Sequence, residues 1–172
     1  MITSFQTPYI AGIQRNPYCT GTVQLWDMDD VLTIKPVGFN NTGMTKDEFF
    51  DASHAFDPNP SSLYLVNLMH NWGDAIAICT ARPVERLTQS WQWLVKHNIP
   101  FDWLIHSTGE EPSGIAKQYM IKHLRPHYKR MGTLFDDSPY NVAGARLQKI
   151  GAVLLPTNND YWEAHPELVF KV

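Results

Sequence analysis

Cysteine is scarce in this chain: Cys19 and Cys79 are the only two among 172 residues. They are too few and too widely spaced for a disulfide framework, and neither belongs to a CxxC zinc pair, so both read as structural thiols. Long apolar runs are missing too, and no segment reaches the length that a membrane-crossing helix needs. Met1 to Gln14 lacks the positively charged start and continuous apolar stretch of a secretory signal, so export is not expected and a cytoplasmic location is. Positive charge is not in excess. A formal net charge of -3 gives no overall attraction to nucleic acid or anionic membrane, so any phosphate site must be built locally. No GxxxxGK[ST] phosphate loop occurs, which excludes loading phosphate from a nucleotide by that route. Internal repeats and low-complexity tracts are absent as well.

What is present describes a globular protein: 44% hydrophobic and 18% charged residues, with length for one well-packed domain. Short apolar runs rich in β-branched residues alternate with segments of helical pattern, the mark of βαβ units. The runs predict strands over Thr22–Met28, Ala75–Thr80, Asp102–His106, Gly132–Phe135 and Gly151–Leu155. Apolar spacing predicts helices over Ser61–Trp72, Pro83–His97, Ser113–Leu124 and Ser138–Lys149, the last two each entered through a serine able to cap it, with Pro126 ending the third. The expected fold is therefore α/β: a Rossmann-like three-layer α/β/α sandwich around a parallel five-stranded sheet. Thr33 to Pro60 differs, being dominated by Pro, Gly and Asn apart from a helical piece around Thr45–His54, and reads as a small cap inserted over one face.

In an open parallel sheet, ligands bind beyond the carboxyl ends of the strands. Polar residues gather there in this sequence. The first strand ends in Asp27, Asp29 and Asp30, the second in Thr80-Ala81-Arg82, and the fourth in Asp136-Asp137-Ser138, while Lys117 lies in the first turns of the helix before that fourth strand. Unit charges a few Å apart repel by about 4 kcal/mol even at an effective dielectric of 20, so converging carboxylates need a cation among them. Hard oxygen ligands without cysteine or histidine suit Mg²⁺, which fills its shell with water and substrate phosphate.

An apolar strand ending in DxDx[TV], a strand ending in Thr, a Lys, and a strand ending in paired acids resembles the haloacid dehalogenase superfamily. Here the pieces read LWDMDDVL, AICTARP, GIAKQYM and TLFDDSP, in the family's order from Val23 to Leu155. The resemblance implies a phosphatase in which Asp27 is the nucleophile and Asp29 the general acid and base, its proton affinity raised by nearby carboxylates. It implies Mg²⁺ held by Asp27, the main-chain carbonyl of Asp29, Asp136 and Asp137, with Thr80 and Lys117 on the phosphoryl oxygens and Lys117 also holding Asp27. Within the superfamily the chain is similar to the 3′-phosphatase domain of phage polynucleotide kinases. That likeness rests on Asp51, on Asp57-Pro58-Asn59-Pro60 leading into a helix, on TARP, and on FDDSPYNV followed by a glycine. It implies that Ala81 and Arg82 join Thr80 and Lys117 at the substrate, that the partner is a nucleic-acid 3′ end or a nucleotide, and that the location is the host cytoplasm if a phage encodes it. Asp30 replaces the usual glycine after the second Asp, and Ser113 stands where an acid often precedes the lysine.

Plainer readings stand beside these. Asp137 caps the helix near Ser138 or touches metal, Asp30 is solvated, and Arg82 covers the start of its own helix or binds substrate. The basic run from Lys117 to Arg130 reads as a solvated face, with His123 and His127 as surface residues because Pro126 breaks the helix that would align them. Of Trp91 and Trp93, one is expected in the core and the other at its margin. Two other functions stay open: a nucleotidase acting on free nucleoside monophosphates, and a phospho-accepting receiver-like module, whose usual order of acids and lysine differs from this one.

Overall fold

The computed structural model describes residues 2–15, 21–109 and 111–155. Cys19 lies outside them. Strands β1 (Thr3–Gln6), β2 (Ile10–Gln14), β3 (Thr22–Trp26), β6 (Ala75–Pro83), β7 (Trp103–Ser107), β8 (Arg130–Asp136) and β9 (Gly151–Leu154) form one sheet in the order β1-β2-β7-β6-β3-β8-β9. From β7 to β9 every pairing is parallel, and these are the five strands predicted from the apolar runs. The sheet is larger than predicted, because β2 adds antiparallel to β7 and β1 to β2. Glycine permits the first of these pairings: a Cβ on Gly12 would lie 2.1 Å from the Leu104 carbonyl oxygen.

Helices cover both faces of the sheet. One core joins Ala116, Met120, Ile121 and Leu124 of α4 (Ser113–Leu124) and Ala145 of α5 (Pro139–Leu147) to Val23, Leu25, Ala77, Cys79, Ile105 and Leu134. The other joins Val66 of α2 (Pro60–Asn71) and Trp93 and Leu94 of α3 (Leu87–Lys96) to Trp26, Ile76, Ile78, Leu104 and Phe135. Neighbouring residues of one strand thus point into opposite cores, the period-2 geometry of a strand buried on both faces. Trp93 is wholly buried and Trp91 lies at the margin, as expected of that pair.

The helix ends differ from expectation. Neither Ser113 nor Ser138 caps with its hydroxyl. Ahead of α5, Asp136 instead closes a turn, its Oδ1 accepting from the Ser138 amide at 2.9 Å. At α2, Asn59 accepts from Ser61 N at 3.1 Å and Pro60 sits in the first turn, where a missing N–H costs nothing. After Leu124, α4 gives way to a 3-10 turn containing Pro126. Packing of α4 on α5 is close, since a Cβ on Gly144 would come within 2.7 Å of the Gly114 carbonyl oxygen. That approach sets Lys117 of α4 beside Asp136.

The stretch from 33 to 60 holds a two-stranded sheet, β4 (Thr33–Ile34) with β5 (Asp57–Pro58), and α1 (Lys46–Ser53). A reciprocal Thr45–Glu48 capping box starts α1. Two contacts pin the excursion down: core Trp93 Nε1 donates to the Phe56 carbonyl at 2.9 Å, and nearer the surface Arg86 pairs with Asp51. Two surface assignments change. His123 is half-buried, stacked on Phe5 at 4.3 Å and edge-on to Trp103, because the unpredicted β1 covers it, whereas His127 is exposed. Asp30 is not freely solvated: its side chain is 12% exposed and pairs with Lys35 at 2.6 Å.

Candidate active site

The central strand β3 lies between β6 and β8, so the residues just past its carboxyl end meet those past theirs. Asp27 is the first of these. Its amide donates to the Phe135 carbonyl at 2.9 Å, which ties the end of β3 to β8, and the residue is 6% exposed. Lys117 reaches it from α4, Nζ lying 2.5 Å from Asp27 Oδ1 and 3.0 Å from Asp136 Oδ2, and also donates to the Cys79 carbonyl. Only 1% of Lys117 is exposed.

Carboxylate oxygens of Asp27, Asp136 and Asp137 lie within 4.8 Å of one another. One ammonium among three carboxylates leaves the cluster short of positive charge. Burial first, then Asp136, Asp137 and Asp29, raise the proton affinity of Asp27 well above the usual carboxylate range, with Lys117 opposing them. Asp137 is pushed up to about 7 by burial and then by Asp136. Burial pulls Lys117 the other way, but Asp136 and Asp27 outweigh it, so the ammonium stays charged. Three hard oxygen donors with unbalanced charge fit a small divalent cation such as Mg²⁺. Asp136 serves the cluster twice: Oδ2 faces Lys117, and Oδ1 accepts from Ser138 N and from Asn141 Nδ2 at 2.8 Å.

Asp29 is outside that group and faces a cation, not another carboxylate. Arg82 Nε donates to its Oδ2 at 2.8 Å and Nη2 to its Oδ1 at 2.5 Å. The guanidinium is wholly buried and also donates to Ser53 Oγ of α1 at 2.7 Å and to Ser90 Oγ of α3 at 3.4 Å. A break in register between Thr80 and Pro83 lets β6 run past its predicted end and turn Arg82 inward. The Thr80 hydroxyl accepts from Arg82 N at 3.2 Å inside this bulge, and His106 Nδ1 lies 3.0 Å from the Pro83 carbonyl.

A cleft of about 640 Å³ opens over the strand ends. Asp27, Asp29, Asp137, Ala81 and Arg82 line it, and Phe49 and Phe50 of α1 form part of its upper wall. Thr80 and Lys117 are buried one side chain behind that lining. All the predicted site residues thus gather at one sheet edge. Asn141, Ser53 and His106 were not predicted. Asn141 was discoverable, since it lies one helical turn beyond the acidic pair in FDDSPYNV, but nothing local marks Ser53 or His106. Asp30 adopts φ +59°, a left-handed conformation that favours glycine.

No protein-family model matches the chain, and no curated protein matches it by sequence. Solved structures do match. A chain of the Pnkp1/Rnl/Hen1 RNA repair complex superimposes with a TM-score of 0.67 at 14% identity, covering 83% of this chain and 44% of that one. A class C acid phosphatase from Bacillus anthracis with tungstate bound gives 0.61 at 14% identity, covering 89% and 74%. This is the haloacid dehalogenase fold. An enzyme of that family from Bacteroides thetaiotaomicron, in complex with magnesium and inorganic phosphate, shares it with a TM-score of 0.51, 13% identity and coverage of 84% and 99%. The present chain spans less than half the length of the repair-complex chains it matches, 44% and 48%. Among the described residues, no helix is long and apolar enough to cross a membrane.

Proposed function

We propose that the chain is a Mg²⁺-dependent phosphomonoesterase that works through an aspartyl-phosphate on Asp27 and removes the 3′-phosphate from nucleic-acid ends. The arrangement of Asp27 carries this reading: a buried carboxylate on the cleft floor, with Lys117 on one oxygen and two further acids beside it. Lys117 holds Oδ1, which leaves Oδ2 to attack phosphorus. As the P–O bond to the leaving group breaks, Asp29 protonates the departing oxygen, having first taken up a proton from solvent, since both of its oxygens accept from Arg82 in the resting site. Asp29 then takes a proton from the water that attacks the aspartyl-phosphate, releasing inorganic phosphate and restoring Asp27. Magnesium held by Asp27, Asp136, Asp137 and the Asp29 carbonyl would neutralise charge on the phosphoryl oxygens.

Arg82 acts in this scheme as a positioning residue. Its two bonds to Asp29 fix the acid and base over the cleft. Thr80 and Lys117 supply donors to the phosphoryl oxygens from behind the cleft lining, with Ala81 and Arg82 completing that wall. The excursion from 33 to 60 serves as a small cap on a single domain. A nucleic-acid end is favoured as substrate by the likeness to a chain of an RNA repair complex, joined to the two phenylalanines on the cap wall.

The test is hydrolysis of a 3′-phosphorylated oligonucleotide, a 5′-phosphorylated one and free nucleoside monophosphates, each with Mg²⁺ and with a chelator. Release of phosphate from the 3′ end alone, and only with Mg²⁺, is expected. Turnover confined to mononucleotides would make the chain a nucleotidase, and persistent phosphorylation of Asp27 without turnover would make it a receiver-like module.

A further inference from the structure

A second cavity of about 270 Å³ adjoins the cleft, and Asp30, Thr45, Lys46 and Phe49 line both. Beyond them it is bounded by Lys35, Asn41 and Met44, all from the 33–60 excursion. Shared walls make it an annex of the phosphoryl cleft, placed where the rest of a substrate bound at Asp27 would extend.

Its chemistry limits the occupant. Of the two lysines in the lining, Lys35 is already paired with Asp30 at 2.6 Å, so those charges offset each other and Lys46, shared with the cleft, is left as the cation. Asp30 Oδ1 is buried without a hydrogen-bond partner, so more negative charge beside it is disfavoured. Half-buried Phe49, with Lys35 Nζ 5.5 Å from its ring centroid, and exposed Met44 supply a largely apolar wall, and the Asn41 amide offers both a donor and an acceptor. A flat, neutral heterocycle with N–H groups on its edge meets all of these conditions.

We infer that the annex is a nucleobase pocket, with Phe49 as its stacking surface, for the nucleotide whose phosphate lies at Asp27. This deepens the phosphatase reading and rests on it for the position of the phosphate. Stacking on an aromatic side chain tolerates any base, because each has a π face, so the pocket selects nucleotides over other phosphate esters without selecting a sequence. Phe49 is then a specificity-determining residue.

The test separates binding from turnover. In the Asp27→Asn variant with Mg²⁺, where ligand is not consumed, calorimetry should give roughly tenfold tighter binding of cytidine 3′-phosphate than of ribose 3-phosphate. Adding Phe49→Ala or Phe49→Leu should abolish that difference, and Phe49→Trp should keep it. Equal affinity for the two ligands, or a difference that survives Phe49→Leu, overturns the base pocket. If base and base-free ligands bind alike while the wild type still dephosphorylates 3′ ends, the phosphatase reading stands and the pocket falls. If the base-bearing ligand is preferred in a Phe49-dependent way while no phosphate is released, the pocket stands and the reaction assigned to Asp27 falls.

Discussion

Arg82 holds Asp29 with two nitrogens, Nε at 2.8 Å from Oδ2 and Nη2 at 2.5 Å from Oδ1, while Nη2 also reaches Ser53 Oγ on α1. One buried guanidinium therefore ties the proposed acid and base to the helix that walls the cleft. Lysine cannot reproduce a planar fork. Arg82→Lys should lower kcat by roughly tenfold to a hundredfold, with KM nearly unchanged. A rise in KM at constant kcat would instead make Arg82 a substrate-phosphate ligand.

Lys117 is the cation placed between Asp27 and Asp136. Removing it leaves buried carboxylates unpaired, so Lys117→Met should destabilise the fold by roughly 3–5 kcal/mol. For a chain of this length, the melting temperature should fall by on the order of 10 °C. Mg²⁺ should restore part of the loss, because a cation that binds only the folded cluster stabilises it by mass action. Scanning calorimetry with and without Mg²⁺ checks both statements.

His106 is fully buried, and burial, then Arg82, lower its pKa to about 4 from 6.5, although its bond to the Pro83 carbonyl opposes the shift. The folded state thus refuses a proton that the unfolded chain accepts. Stability from this residue is complete above pH 6.5 and is lost as pH falls from there toward 4. The loss amounts to about 3 kcal/mol. Urea titrations across that window should show a shallower decline for His106→Gln than for the wild type.

Cys79 is buried in the sheet and its thiol is pushed up to about 12, chiefly by burial. Only thiolate is nucleophilic. Peptide mapping after treatment with iodoacetamide near pH 8 should find Cys79 unmodified in the native protein and alkylated in denaturant.

The chemistry was legible where it falls at strand ends. Asp27, Thr80 and Asp136 each follow a short apolar run, and a run buried on both faces announces itself by composition. Lys117 was legible through its place in the order of motifs. The hairpin of β1 and β2 escaped notice, because β1 (TSFQ) carries no apolar run, the short run of β2 is interrupted by Gly12, and the pair depends on the open edge of β7. The partner of Asp29 was missed for a similar reason. Sequence adjacency suggested other carboxylates, whereas the bulge after Thr80 delivers Arg82 from 53 positions away.

By itself the sequence determined the parallel α/β frame and the set of acids, threonine and lysine at its edge, because strand periodicity and strand ends are local properties of the chain. Only the tertiary structure decided which charge faces which: Lys117 on Asp27 and Asp136, Arg82 on Asp29, Lys35 on Asp30. Those pairings span strands and helices far apart in sequence. They depend on crossovers, a bulge and a close helix contact that set distances to within an ångström, and Coulomb energy at such range is governed by distance and burial, not by order along the chain.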